Sequence, residues 1–168
     1  FTVMQQYVER GQMWSMLLSV LVIGVILVLV FSSWKVGLVG MIPNLAPAVI
    51  VGGMMGWLDY PLDMMTASLI PMILGIAVDD TIHFINHSHV AYDRCGDYGD
   101  AIRSTFRTEG LAIVMSTVVV SATFAGFMSS NATQMVNWGI LAVAGMVSAL
   151  LADLFLTPIL FKYLRVLG

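Results

Sequence analysis

Charge is the scarcest thing in this sequence. Its 168 residues include seven Lys or Arg and ten Asp or Glu, so 10% of the chain is charged. Soluble chains carry about 25%, and so few solvated groups cannot cover a globule of this size. The remainder is 59% hydrophobic, with a mean hydropathy of +0.92. A net charge of −3 leaves no basic footprint, which excludes nucleic acid as a partner. A single cysteine, Cys95, excludes an internal disulfide framework. Metal-ligand spacing, a nucleophile elbow and a phosphate loop are all missing, so the sequence implies no enzyme, no cofactor and no metal site. His87 and His89 are two apart and do not share a helical face. There is no repeat and no low-complexity stretch. Phe1 is not an initiator and the first apolar run does not read as a cleavable signal, so the chain reads as a piece of a longer protein.

Long apolar runs are what the sequence does have. They cover 13–31, 36–58, 64–86, 111–129 and 136–161. About 20 residues rising 1.5 Å each span roughly the 30 Å of a hydrocarbon core. None alternates as a membrane strand does, and lipid demands a backbone paired within itself. The expected fold is an all-α membrane protein of five transmembrane helices in contact with membrane lipid. Orientation follows from the bases in the connections. The N-terminal flank, 59–63 and 130–135 together hold only Arg10. The other side holds Lys35, Arg94, Arg103, Arg107, Lys162 and Arg165. This predicts an outside N-terminus, a cytoplasmic C-terminus and a cytoplasmic connection at 87–110. Within that connection, Asp97 or Asp100 can cap a short helix with Ile102 and Phe106 on one face. The alternatives are a helix lying along the membrane surface, with its arginines near the headgroups, or a plain solvated loop.

The informative residues are those a membrane resists. Asp79 and Asp80 fall inside the third run with His83 just after, and Asp153 falls inside the fifth. An ionised Asp at a helix centre costs about 2.5–3.5 kcal/mol on insertion scales, so a lipid-facing place is not expected. Ser68, Met72, Gly75, Asp79, His83 and Asn86 follow helical steps and form one small and polar stripe. Gly75 would let a neighbour approach, and both acids can reach His83. Matching seams run along the second helix (Gly40, Asn44, Ala48, Gly52, Gly56), the fourth (Thr117, Ser121, Ala125, Ser129) and the fifth (Gly145, Ala149, Asp153). Steps of four drift about 40° each, so these seams are tilted. The first helix has only Gly24 and is expected to face lipid. Asp79 and Asp80 either form a buried ion pair that fixes packing or exchange protons or cations, since coupled carboxyls in low dielectric share protons. Asp153 is either an interfacial acid paired with Lys162 or Arg165, or a further relay partner.

The run Gly75-Ile76-Ala77-Val78-Asp79-Asp80-Thr81-Ile82-His83-Phe84 resembles the Gly-x-x-x-Asp-Asp motif on the fourth helix of each half of resistance–nodulation–division transporters. It is most similar to the hydrophobe exporter, mycobacterial-large-protein (MMPL) and Patched-type branch. Ile42-Pro43-Asn44-Leu45-Ala46-Pro47, Pro61-Leu62-Asp63 and Leu151-Ala152-Asp153-Leu154-Phe155-Leu156-Thr157-Pro158 support the resemblance, and they occur in the family's order. It implies one five-helix block of a twelve-helix protein, more like the C-terminal half, without its first helix and its porter domain. It also implies Asp79, Asp80 and His83 as a proton relay, with Gly75, Asn44, Thr117, Ser121 and Asp153 as relay or packing partners. The implied function is proton-driven export of lipids or other hydrophobic compounds across a bacterial inner membrane, together with the missing remainder of the transporter. A homo-oligomer is left open. The competing readings are a sterol-sensing-like module that binds lipid without pumping, and a purely structural scaffold.

Overall fold

Short breaks cut the apolar sequence into helices, and each break has a local cause. The computed structural model describes residues 2–61 and 63–164. Helix α1 (Thr2–Phe31) ends at Ser32, whose φ of 49° turns the chain out of the helix. Helix α2 (Trp34–Trp57) ends ahead of Asp59, left-handed at φ 51°, a conformation that Asp tolerates better than most residues. Asp63 opens the next pair with a capping box. Its Oδ1 accepts from the Met65 and Thr66 amides at 2.9 and 2.8 Å, and Thr66 Oγ1 accepts from the Asp63 amide at 2.9 Å. The one-turn α3 (Met64–Ala67) then leads into α4 (Leu69–Cys95). Pro71 lies in the first turn of α4, where its missing N–H has no intrahelical partner to lose. Gly96 ends α4 at φ 68°, the left-handed position that glycine fills without strain. Asp97 caps α5 (Tyr98–Thr108), accepting from the Gly99 and Asp100 amides. Helix α6 (Gly110–Ala125) tightens into a 3₁₀ turn at Gly126–Ser129. Helix α7 (Thr133–Leu151) widens into a π-turn at Ala152–Leu156 and continues as α8 (Thr157–Leu164).

Among the described residues there is no strand, and five helical stretches are long and apolar enough to cross a membrane. The chain is an all-α membrane protein with α1, α2, α3–α4, α6 and α7–α8 as its spans. Helix α4 does not stop at residue 86 but runs on to Cys95. Much of the connection expected at 87–110 is therefore helical.

Burial sorts the spans into two layers. Half of the apolar window of α2, of α4 and of α7–α8 is buried, against 11% for α1 and for α6. The inner three pack through Val51, Leu69, Ile73, Leu141 and Ala142, and α1 adds Ile23 and Leu27. A second cluster, Val36, Ile85 and Phe161, joins the start of α2 to the ends of α4 and α8. Lys35, Arg94 and Lys162 therefore gather at one end of the bundle. The seam on α2 is buried at Gly40, Asn44 and Ala48, then passes to Val51 and Met55 while Gly52 and Gly56 face out. That is the drift expected of steps of four on a 3.6-residue helix. At the far end, Trp138 Nε1 donates to the Met65 carbonyl at 3.0 Å. Trp138 also meets Phe124 and Phe127 edge-on, both at 5.3 Å.

The most buried residues of α5 are Ala101 and Thr105, with Ile102 and Phe106 half-buried beside them. Thr105 Oγ1 accepts from Ser88 Oγ at 3.2 Å, and Phe106 meets Phe84 edge-on at 5.4 Å. The buried face of α5 thus packs on α4, while Arg103 and Arg107 stay exposed.

Close backbone approach replaces apolar burial as the force between helices in lipid, and Gly37 is where the approach is tightest. A Cβ there would sit 2.9 Å from the Val28 nitrogen and 3.0 Å from its Cα, atoms that can move only if α1 moves. Gly37→Ala is expected to destabilise the protein by about 1–3 kcal/mol. Gly52→Ala, on the same helix with nothing within 4 Å, should be neutral or slightly stabilising through helix propensity. Thermal unfolding of the purified variants compares the two.

Candidate functional site

Three consecutive residues of α4 step around the helix at about 100° each, and so Asp79, Asp80 and Thr81 face three different surroundings. Asp79 lies on the stripe read from the sequence, which does occupy one face. That face is the outer one. Ser68, Gly75, Asp79, His83 and Asn86 are exposed and Met72 is half-buried, while Leu69, Ile73, Ala77, Thr81, Phe84 and Ser88 carry the packing. The expectation that packed helices enclose Asp79 is therefore not met within these five spans. Its Oδ1 lies 3.8 Å from His83 Nε2, with the two side chains 77% and 61% exposed.

Asp80 is half-buried and lines an open crevice of about 340 Å³ between α4, α6 and α7. Gly75, Asp79, Ser116, Thr117 and Ala149 share its walls. Gly75, the sequence candidate for close helix approach, has nothing within 4 Å of a built Cβ; it opens the crevice instead. Thr117 is buried and donates to the Ile113 carbonyl at 2.9 Å, which leaves its oxygen lone pairs free. Its walls are mainly apolar, and the Asp79 and Asp80 carboxyls and the Ser116 and Thr117 hydroxyls are the polar side-chain groups among them. Ser121, one turn on, stands outside the crevice, and its Oγ is buried without a partner.

Thr81 points inward. Its Oγ1 donates to Asp153 Oδ1 at 2.6 Å, a bond between helices 72 positions apart. Thr157 Oγ1 lies 3.4 Å from the same oxygen and 3.4 Å from the Ala152 carbonyl. Asp153 is 2% exposed. This corrects the expectation of an interfacial acid. Asp153 has no ion pair with Lys162, which is exposed, and Arg165 lies outside the described residues. The π-turn that begins at Ala152 widens the helix at this point, and such turns concentrate at functional sites. Sequence reasoning missed Thr81 and Thr157, although an Asp followed four residues later by Thr inside an apolar run was a signal. Asn44 is 1% exposed; its Nδ2 donates to the Gly40 carbonyl at 2.8 Å, and its Oδ1 has no partner.

The remaining histidines sit at the end of α4, each beside a carboxylate. His87 Nε2 is 3.0 Å from Glu109 Oε1, and His89 Nδ1 is 3.6 Å from Asp93 Oδ2. Among the described residues no three His, Cys, Asp or Glu side chains converge as metal ligands.

Five helical stretches long and apolar enough to cross a membrane, with small residues and carboxyls among them, define a polytopic membrane protein. Residues 1–165 match the MMPL family, and the chain belongs to that family, a family of transporters rather than of enzymes. A protein of Methanocaldococcus jannaschii, named only as a membrane protein, is 26% identical over 157 residues. The match takes in 94% of this chain and 40% of that protein, so the chain spans less than half the length of this relative. No solved structure matches the chain.

Removing the Thr81 hydroxyl strips a buried carboxyl of its short hydrogen bond, a loss of about 1–3 kcal/mol. Thr81→Val should lower the unfolding midpoint accordingly. Thr123→Val should leave it unchanged, because Thr123 is exposed and bonds only to Val119 of its own helix.

Proposed function

We propose that this block is part of the membrane domain of a proton-driven exporter of lipids or other hydrophobic compounds. Asp79, Asp80 and His83 form its relay. The observation that carries the reading is the placement of Asp80 in an open, mainly apolar crevice, beside the Thr117 and Ser116 hydroxyls, with Asp79 on the adjoining outer face. A carboxyl at membrane depth that water can reach is able to load and release a proton. Each unit charge carried through 100 mV supplies about 2.3 kcal/mol, and several such transfers can drive a conformational cycle. Asp79 requires a cover, because an ionised Asp facing lipid is costly. The remainder of the protein supplies it, including the porter domain and the helices of the other half, which packs along the Ser68–Asn86 stripe. The sterol-sensing alternative requires no titratable group, so the Asp79–His83 pair and the Asp80 crevice favour pumping.

The block sits in a bacterial cytoplasmic membrane with its N-terminus outside. The bases collected at the Cys95 end of the bundle support this orientation. Cys95 is exposed. In the full-length protein, a membrane-impermeant maleimide should label it only after permeabilisation, with Cys95→Ser as the control. Labelling of intact cells would reverse the orientation.

Asp80→Asn is expected to abolish export by the full-length protein, and Asp79→Asn to cut it at least tenfold, both with normal membrane insertion. Substrate efflux and intravesicular pH in proteoliposomes measure this. Undiminished efflux by both variants rejects the relay.

A further inference from the structure

The crevice at Asp80 leaves one buried acid without a task. We propose that the π-turn around Asp153 is a binding site for a monovalent hard cation, Na⁺, separate from the relay on α4.

The donor set is all oxygen, as hard cations require: Asp153 Oδ1, Thr157 Oγ1 and the Ala152 carbonyl. The spacing is what points to an ion. Thr157 Oγ1 lies 3.4 Å from both of the others, longer than the 2.5–3.0 Å of an O–H···O bond. A cation holding its oxygens at about 2.3–2.6 Å sets ligands at right angles about 3.3–3.7 Å apart. The two separations are therefore long for hydrogen bonds and right for neighbouring ligands. The Ala152 carbonyl already accepts the Thr157 amide across the π-turn, and its second lone pair remains available. Thr81 gives its hydrogen to Asp153 Oδ1 and holds the carboxylate in place from α4.

Charge argues for a single positive one. Among the described residues no Lys, Arg or His pairs with Asp153. A second, independent observation lies on α2, which packs against the π-turn. Asn44 Oδ1 is buried without a partner. One turn away, a Cβ on Gly40 would lie 3.9 Å from the Thr81 methyl, so the buried seam of α2 that carries Asn44 runs along the face of α4 that carries Thr81. Broken helices whose carbonyls and carboxylates meet inside a bundle are the usual cation sites of secondary transporters.

The test uses the full-length protein purified in detergent, unfolded thermally in NaCl, KCl or choline chloride at equal ionic strength. NaCl should raise the midpoint with a saturating dose dependence, and the other two salts should not. Asp153→Asn and Thr157→Val should lose this shift, Thr157→Ser should keep it, and Asp79→Asn should keep it while its export falls at least tenfold. Equilibrium dialysis with ²²Na⁺ should show one equivalent fewer bound to Asp153→Asn than to the parent. Equal midpoints in the three salts would overturn the proposal. So would a Na⁺ shift that survives both Asp153→Asn and Thr157→Val, or equal ²²Na⁺ binding with and without the Asp153 carboxylate. A failed relay on α4 would appear only as unimpaired export by its own variants, so the two ideas fail separately.

Discussion

Lipid offers helices no reward for burying leucine against leucine, because acyl chains are just as apolar. What remains is van der Waals contact between backbones brought close together, and hydrogen bonds that have nowhere else to go. This chain depends on the first to obtain the second. Gly37 lies against the Val28 backbone, Gly40 against Ile85 and Thr81, and Gly145 against Ile73 and Val51. With side chains at these positions the helices would stand further apart. The 2.6 Å bond from Thr81 to Asp153 could then not form, and a carboxyl would be left unpaired in hydrocarbon. The small residues are therefore conditions for the polar chemistry rather than ornaments of packing.

The five spans were legible because lipid enforces a simple rule on length and composition. The breaks were legible for a related reason: a helix end must place its unpaired amides somewhere, and Asp63 and Asp97 advertise where. Asp97 caps α5 as the sequence suggested, one of the two candidates named. Ile102 and Phe106 do share a half-buried face, and the deeper contacts belong to Ala101 and Thr105 one residue before each. Residues one apart differ by only about 100° of azimuth, and a short helix docked by small residues gives a weak apolar signal.

The harder failure concerns α4. Periodicity identified the stripe from Ser68 to Asn86 correctly as one face, yet period says nothing about what that face meets. A stripe of small and polar residues in a membrane helix is expected to pack inward, and here the apolar side of the helix does so. The stripe faces outward, and none of these five helices covers it among the described residues. Asp153 shows the reverse case. Its distance from the chain end suggested a base at the interface, whereas the π-turn rotates it into the bundle toward Thr81. A one-residue widening of a helix leaves no mark in hydrophobic periodicity.

The arrangement around residues 79–81 follows from helix geometry alone. Three adjacent polar residues on a helix point in different directions, so Asp79 is exposed at the outer face while bordering the crevice, Asp80 is half-buried in it and Thr81 turns toward the π-turn. That splits a single acidic motif into an outer group, a crevice group and an enclosed link to a second helix. Any rotation of α4 moves all three together. It would shift Asp80 within the crevice and pull Thr81 from Asp153, since both hang on the same backbone. The crevice carboxyl and the link to the π-turn are therefore carried by one turn of α4.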